Sequence, residues 1–206
     1  MQKQHKIIVY FPTVGTLVFV MLYLYASTLY PGGSQENINH IGFDWIHNYW
    51  CNLTNEVAIN GQLNPARPYA MIAMIVLCIS LTIFFIRFAK VFAKHNFWKI
   101  IIQVFGVIAM VFTVLIFTKY HNIMIGLSSI FGVFAVVGII TEVYQSKLLL
   151  LKWAGVFAIV LLALNNYIYY TDFLIEHLPL LQKITFAYVL LWVIGLNAKL
   201  IHMTKK

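Results

Sequence analysis

The chain is poor in charge and in cysteine. Only 10% of its 206 residues are charged, with 6 acidic against 14 basic side chains, whereas 62% are hydrophobic. Soluble globular domains carry about 25% charged and about 45–50% apolar residues, so this composition excludes a soluble domain. Disorder is excluded as well, because it requires low hydrophobicity and a high density of charge. The 2 cysteines are too few for a disulfide scaffold.

Apolar stretches are what the chain has in abundance. A membrane-spanning helix needs about 20 mostly apolar residues, because the hydrocarbon core is about 30 Å thick and a helix rises 1.5 Å per residue. The sequence therefore predicts an all-α polytopic membrane protein, with residues 1–206 forming one domain. The first stretch is too long for the apolar region of a signal peptide, so we expect it to be retained. The six predicted spans are residues 7–30, 69–89, 99–118, 123–144, 153–171 and 183–202.

The positions of the basic residues predict the orientation. Cytoplasmic loops of membrane proteins carry an excess of Lys and Arg. With the amino terminus in the cytoplasm, the outer face holds only Arg67, Lys119 and Lys183. We therefore expect a plasma membrane location (the inner membrane in a bacterium), both termini in the cytoplasm, and contacts with anionic lipid and not with nucleic acid. The inner face then holds Lys3, Lys6, Arg87, Lys90, Lys94, Lys99, Lys147, Lys152, Lys199, Lys205 and Lys206.

One connection, residues 31–68, is long enough to hold a site, and we call it the cap. Polar residues recur in it every three or four positions, which predicts an amphipathic outer-face helix within residues 33–58. Such a helix is typical of the membrane interface. Its polar face has no Lys or Arg, however, and carries residue types that serve as metal ligands or in acid–base chemistry. Those polar positions are Glu36, His40, Asp44, His47, Cys51 and Asn55.

The histidine spacing in the cap suggests a metal site. In a helix, side chains four residues apart lie on one side and can reach one ion. Zinc needs three or four ligands, so further ligands would come from other connections on the outer face. The alternative is that these histidines face water or pack against neighbours. The candidate zinc ligands are His40, Asp44, His47, Cys51, His121 and His177.

Three other cap residues are candidates for ligand binding. Arg67 lies at the predicted outer membrane edge, where its bidentate guanidinium fits a lipid phosphate or a carboxylate. The alternative is an anchor that reaches the interface, or a partner for Glu56 or Asp44. Trp45 and Asn52 complete this candidate set.

Two functions follow as hypotheses. The first is a protein that binds a membrane lipid, a partner protein or a second copy of itself through the cap. The second is a membrane-embedded, metal-dependent hydrolase that acts on a lipid-like substrate. Elsewhere, small residues on the fourth span predict close helix packing; they are Ser128, Gly132 and Ala135.

The cap and its flanks carry short family-like motifs. Tyr30-Pro31-Gly32-Gly33, residues 48–53 (Asn-Tyr-Trp-Cys-Asn-Leu) and Asn64-Pro65-Ala66-Arg67 resemble a family of six-span membrane proteins of unknown function, distantly similar to the DRAM- and Frag-like proteins. That resemblance implies a six-span fold and no particular reaction. A fainter similarity is to the alkaline ceramidases, which are zinc hydrolases of membranes. It rests on residues 43–45 (Phe-Asp-Trp) and 48–49 (Asn-Tyr). The paired histidines of that family's last span are missing, since His202 stands alone.

Overall fold

The computed structural model describes residues 8–118, 120–146 and 148–204. Within these ranges it contains six long helices and no β-strand beyond two isolated bridges. Each helix is long and apolar enough to cross a membrane, so the predicted all-α polytopic fold is confirmed. The helices are α1 (Phe11–Leu29), α2 (Arg67–Val91), α3 (Asn96–Phe117), α4 (His121–Tyr144), α5 (Leu149–Thr171) and α6 (Leu178–Thr204).

The six helices form a ring in chain order. Each helix packs on the next one along the chain, α6 returns to α1, and α2 also contacts α6. Because all connections except the cap are short, consecutive helices run antiparallel. The cap and the α3–α4 and α5–α6 connections therefore meet at one end of the ring, the cap end. The α2–α3 and α4–α5 connections lie at the opposite end.

Glycines let neighbouring helices approach closely. A Cβ atom at Gly15 of α1 would overlap the hydroxyl of Ser80 on α2, and one at Gly106 of α3 would overlap the ring of Phe85. Small residues at such crossings bring backbones together in membrane proteins, where packing and not the hydrophobic effect drives helix association. Gly106 directly follows a π-helical turn at Ile101–Phe105, which changes the register of α3 at this crossing.

A buried acid secures the opposite end. The side chain of Glu142 on α4 is only 1% exposed. Its carboxylate accepts the backbone N–H groups of Lys94 and His95 at 2.9 and 3.3 Å, where α3 begins. The first amides of a helix have no partner inside the helix and carry a partial positive charge, so a carboxylate there stabilises the start of α3.

The amphipathic helix predicted for the cap is wrong. The only helical turn between α1 and α2 is the short 3₁₀ helix Trp50–Thr54. Gly32, Gly33 and Gly42 have φ values of 142°, 83° and 73°, which a right-handed helix does not allow. The periodic polar residues of the cap therefore do not share a helix face.

Asparagine side chains replace helical hydrogen bonds in the cap. Asn48 is fully buried. Its amide nitrogen donates to the carbonyl of Gly33 at 2.8 Å, and its Oδ1 accepts the backbone N–H of Asp44 at 2.8 Å. Asn64 likewise donates to three carbonyl oxygens of the segment that contains the 3₁₀ helix. Asparagine competes with regular structure in this way by bonding backbone groups through its side chain.

Candidate functional site

Trp50 fixes the cap into the ring of helices. Its indole stacks on Tyr23 of α1 with ring centroids 4.7 Å apart. The centroid of Phe186 on α6 lies 5.5 Å away, and that of Phe19 on α1 lies 5.8 Å away. The backbone N–H of Trp50 also donates to Oε1 of Gln182 at 3.4 Å. The cap is therefore joined to the gap between α1 and α6 by an aromatic cluster, since such pairs contribute beyond their buried area.

Lys183 is the second attachment between the cap and α6. Lys183 lies near the start of α6 and is 8% exposed. Its ammonium donates to the carbonyl of Asn48 in the cap and to the carbonyl of Pro179 at 2.9 Å. A buried ammonium needs such acceptors, because desolvating an unpaired charge is costly. The sixth span was predicted to begin at Lys183, but the helix begins at Leu178.

A cavity of about 360 Å³ lies inside the ring beneath the cap. It is lined by residues of all six helices and by the 3₁₀ helix of the cap. Along α6 the lining extends from Gln182 to Val193, about 16 Å at 1.5 Å per residue. Small-molecule sites in proteins have volumes of about 300–1,000 Å³, so this cavity is large enough to hold a ligand.

The cavity is polar near the cap and apolar at depth. Near the cap the lining includes Cys51, Thr54, His121, Asn166 and Gln182. The deep lining is aromatic and aliphatic, and it consists of Phe84, Phe85, Ile139, Trp192 and Val193 among others. This gradient matches a molecule with a polar head and an apolar body.

The small-residue stripe of α4 borders this cavity. Ser128 and Gly132 line it, whereas Ala135 is buried in the packed core. A Cβ atom at Gly132 would meet nothing within 4 Å. The prediction of close helix packing is therefore wrong at Gly132, because small side chains leave space as readily as they allow contact. This stripe was the one sequence signal that could have pointed to the cavity.

The acidic and imidazole groups of the cap form a separate polar cluster. The Nδ1 of His47 lies 2.8 Å from the Asp44 carboxylate, and its Nε2 lies 2.7 Å from the Glu36 carboxylate. His40 is more distant, with its Nδ1 4.0 Å from Asp44. Burial raises the pKa of Asp44, but hydrogen bonds from His47 and from the backbone amides of Ile46 and His47 outweigh it and hold the pKa at about 2.

The six predicted zinc ligands do not converge. Within the described ranges, no group of three or more His, Cys, Asp or Glu side chains is arranged to hold a metal ion. The carboxylates around His47 face both of its nitrogens, and Cys51 lines the cavity instead of joining the cluster. His121 bonds the neighbouring Asn122 at 3.0 Å, and His177 pairs with Glu176 at 3.8 Å. The i, i+4 argument for this site fails because the cap is not a helix.

Burial also makes Cys51 a poor nucleophile. Desolvation raises the pKa of its thiol to about 11, although the charge of Lys183 acts in the opposite direction. A thiol with this pKa is almost entirely protonated at neutral pH, and the thiolate is the reactive form.

The three predicted ligand-binding residues lie outside the cavity lining. Arg67 pairs with Glu56 at 3.4 Å, which was the alternative to lipid binding. Trp45 is 45% exposed and packs its ring edge-on against Phe43 with centroids 5.2 Å apart. Asn52 is buried, and its carbonyl accepts the amide of Asn64 at 3.1 Å. Their predicted roles have no support in the geometry of the cavity.

The comparisons with known proteins found no match to this chain. No family model matches the chain, and no curated protein or solved structure matches it either.

Proposed function

We propose that this membrane protein binds an amphiphilic, lipid-like molecule in the cavity lined by its six helices and by the 3₁₀ helix of the cap. The observation that carries the proposal is the cavity itself, with its volume of about 360 Å³ and its gradient from a polar cap end to an apolar depth. Ligand sites are mostly apolar, with a few polar groups that orient the ligand. A lipid-like molecule meets both requirements in one orientation.

We further infer that the cap faces away from the cytoplasm at the plasma membrane. The described basic residues support this orientation, because the cap end has only Arg67 and the buried Lys183. Those at the opposite end include Arg87, Lys90, Lys94, Lys99, Lys152 and Lys199. The other basic residues, Lys3, Lys6, Lys119, Lys147, Lys205 and Lys206, lie outside the described residues.

The alternatives from the sequence have less support. A metal-dependent hydrolase needs open metal ligands, whereas carboxylates occupy both nitrogens of His47. Binding of a partner protein or of a second copy requires a defined surface, and no contact in the described chain indicates which surface that is. The cavity therefore favours a small ligand.

Two glycines of α4 provide a matched test of the cavity. Gly132 lines the cavity and Gly126 does not, while the nearest atom to a Cβ at Gly126 is 3.9 Å away. We expect the Gly132→Leu variant to lose a lipid that copurifies with the wild-type protein, because the new side chain fills the cavity. The Gly126→Leu variant should retain it. Lipid extraction followed by mass spectrometry measures the amount per mole of protein.

The proposal fails if both leucine variants carry the same extracted lipid as the wild-type protein. It also fails if no amphiphile is retained by the wild-type protein and none binds when added to it.

A further inference from the structure

We infer that the ligand is a single-chain amphiphile with an anionic head, such as a carboxylate, a sulfate or a phosphate, and that the imidazole of His121 supplies the counter-charge. This inference rests on the proposed function, since it assigns a class of ligand to the same cavity. It follows from the charges that the lining can and cannot provide, and from the shape of the space.

The described lining contains no carboxylate, ammonium or guanidinium group. The buried ammonium of Lys183 is not part of it and donates to the carbonyls of Asn48 and Pro179. A cationic or zwitterionic head would therefore bring a positive charge into the cavity without a counter-charge, and burying an unpaired charge is strongly unfavourable. The lining selects against such heads.

His121 is the one described lining residue whose side chain can become a cation near neutral pH. Its Nδ1 lies 3.0 Å from Oδ1 of Asn122, an acceptor, so this nitrogen carries a hydrogen and donates it. No described residue bonds its Nε2. A protonated imidazole donates through both nitrogens, so Nε2 can donate to an anionic oxygen while Nδ1 keeps its bond to Asn122.

His121 lies at the polar end of the cavity, where the head group of an amphiphile belongs. It is the first residue of α4, and the lining continues along this helix through Ser128 and Gly132. The positive end of the α4 dipole lies at the same place and also favours an anion. Gln182 adds a donor at this end, because its Oε1 accepts the backbone N–H of Trp50 and its amide nitrogen remains to donate.

The shape of the cavity favours one acyl chain. Its volume of about 360 Å³ is near the lower limit of the range of about 300–1,000 Å³ that small-molecule sites occupy. The lining nevertheless extends for about 16 Å along α6. A space that is long for its volume is narrow, so it fits a single extended chain better than two chains side by side.

Three probes with the same tetradecyl chain test the sign of the head-group charge. Tetradecyl sulfate carries a permanent negative charge, tetradecyltrimethylammonium carries a permanent positive charge, and methyl tetradecanoate is neutral. Their affinities for the full-length protein in a non-ionic detergent at neutral pH are measured by competition against radiolabelled methyl tetradecanoate. We expect the sulfate to bind more than about 10-fold more tightly than the trimethylammonium compound, which would be buried without a counter-charge.

The His121→Gln variant keeps a hydrogen-bonding side chain that cannot carry a charge. It should weaken tetradecyl sulfate binding by about 10-fold or more, the range of a hydrogen bond between charged groups, and leave the affinity for methyl tetradecanoate unchanged. His177→Gln is the matched control, because His177 lies at the same end of the ring, pairs with Glu176 and does not line the cavity. It should change neither affinity. Each comparison uses one probe with two proteins, so partitioning of the probe into detergent cancels.

The outcomes separate this inference from the proposed function. Equal binding of the trimethylammonium probe and the sulfate, an unchanged sulfate affinity in His121→Gln, or an equal loss for the sulfate and the neutral ester would overturn the inference. In each of those cases, loss of all binding in Gly132→Leu would still support the cavity as a ligand site. Failure of every probe to bind the wild-type protein would overturn the proposed function and this inference with it.

Discussion

Removal of one buried asparagine should loosen the fold of the cap around its 3₁₀ helix. Asn64 lies just before α2 and is 6% exposed. Its amide nitrogen donates to the carbonyl oxygens of Asn52, Leu53 and Asn55 at 3.1, 3.2 and 2.9 Å. Its Oδ1 accepts the backbone N–H of Ala66 at 3.1 Å. Asn64→Ala deletes all of these bonds and leaves buried backbone groups without partners.

The magnitude follows from the number of bonds lost. An amide group has two hydrogens and here also accepts one bond, so about three effective bonds disappear at about 1 kcal/mol each. The free energy of cap opening should therefore fall by about 3 kcal/mol. At 1.4 kcal/mol per factor of ten, the open population increases roughly 100-fold.

The thiol of Cys51 reports this opening. While the cap is closed, burial raises the pKa of the thiol to about 11, so very little reactive thiolate is present at pH 8. We expect a water-soluble maleimide to label Cys51 roughly 100-fold faster in Asn64→Ala than in the parent protein. Both proteins carry Cys78→Ser, so that Cys51 is the only thiol in the chain.

The matched control is Asn39→Ala, which makes the same substitution at an exposed position of the cap. Its labelling rate should stay at the parent value. Equal rates in Asn64→Ala and Asn39→Ala would show that the Asn64 side chain does not hold the cap closed, and would refute the reasoning.

Two further predictions concern the polar cluster and the α1–α2 crossing. Because the pKa of Asp44 is lowered from 3.8 to about 2, its contribution to stability is complete above about pH 4 and is lost as the pH falls towards 2. The melting temperature in detergent should fall over that range, and Asp44→Asn should flatten this part of the curve; an unchanged pH profile contradicts the prediction. Gly15→Ala should destabilise the protein by about 1–3 kcal/mol, because the new methyl group overlaps the hydroxyl of Ser80. Adding Ser80→Ala should recover part of that loss in the same thermal assay, and purely additive effects would show that the two residues do not clash.

The cap shows where a sequence pattern misleads. Polar residues spaced three and four positions apart match the period of a helix, but the same spacing also occurs where the chain folds into turns. Glycines at positive φ and the side-chain bonds of Asn48 and Asn64 decide against the helix. Asp44 and His47 are still neighbours, because a tight turn brings residues three positions apart together as a helix does.

Only part of the candidate site could be predicted from the sequence. Ser128 and Gly132 could be recognised as small residues on one span, but whether they border a neighbouring helix or an empty space depends on the arrangement of the whole ring. Trp50 could be recognised as aromatic, but its contacts with Tyr23 and Phe186 join three distant parts of the chain.

The sequence by itself determined the six spans and the single long connection. Membrane crossing requires a minimum length of apolar residues, and that property belongs to each segment separately. The tertiary structure alone decided the conformation of the cap, the burial of Lys183 against Asn48 and the cavity beneath Trp50. The cap conformation depends on side-chain bonds between residues 4 to 15 positions apart. The burial of Lys183 and the cavity bring together atoms that are more than a hundred residues apart, and no local pattern specifies which of those atoms will meet.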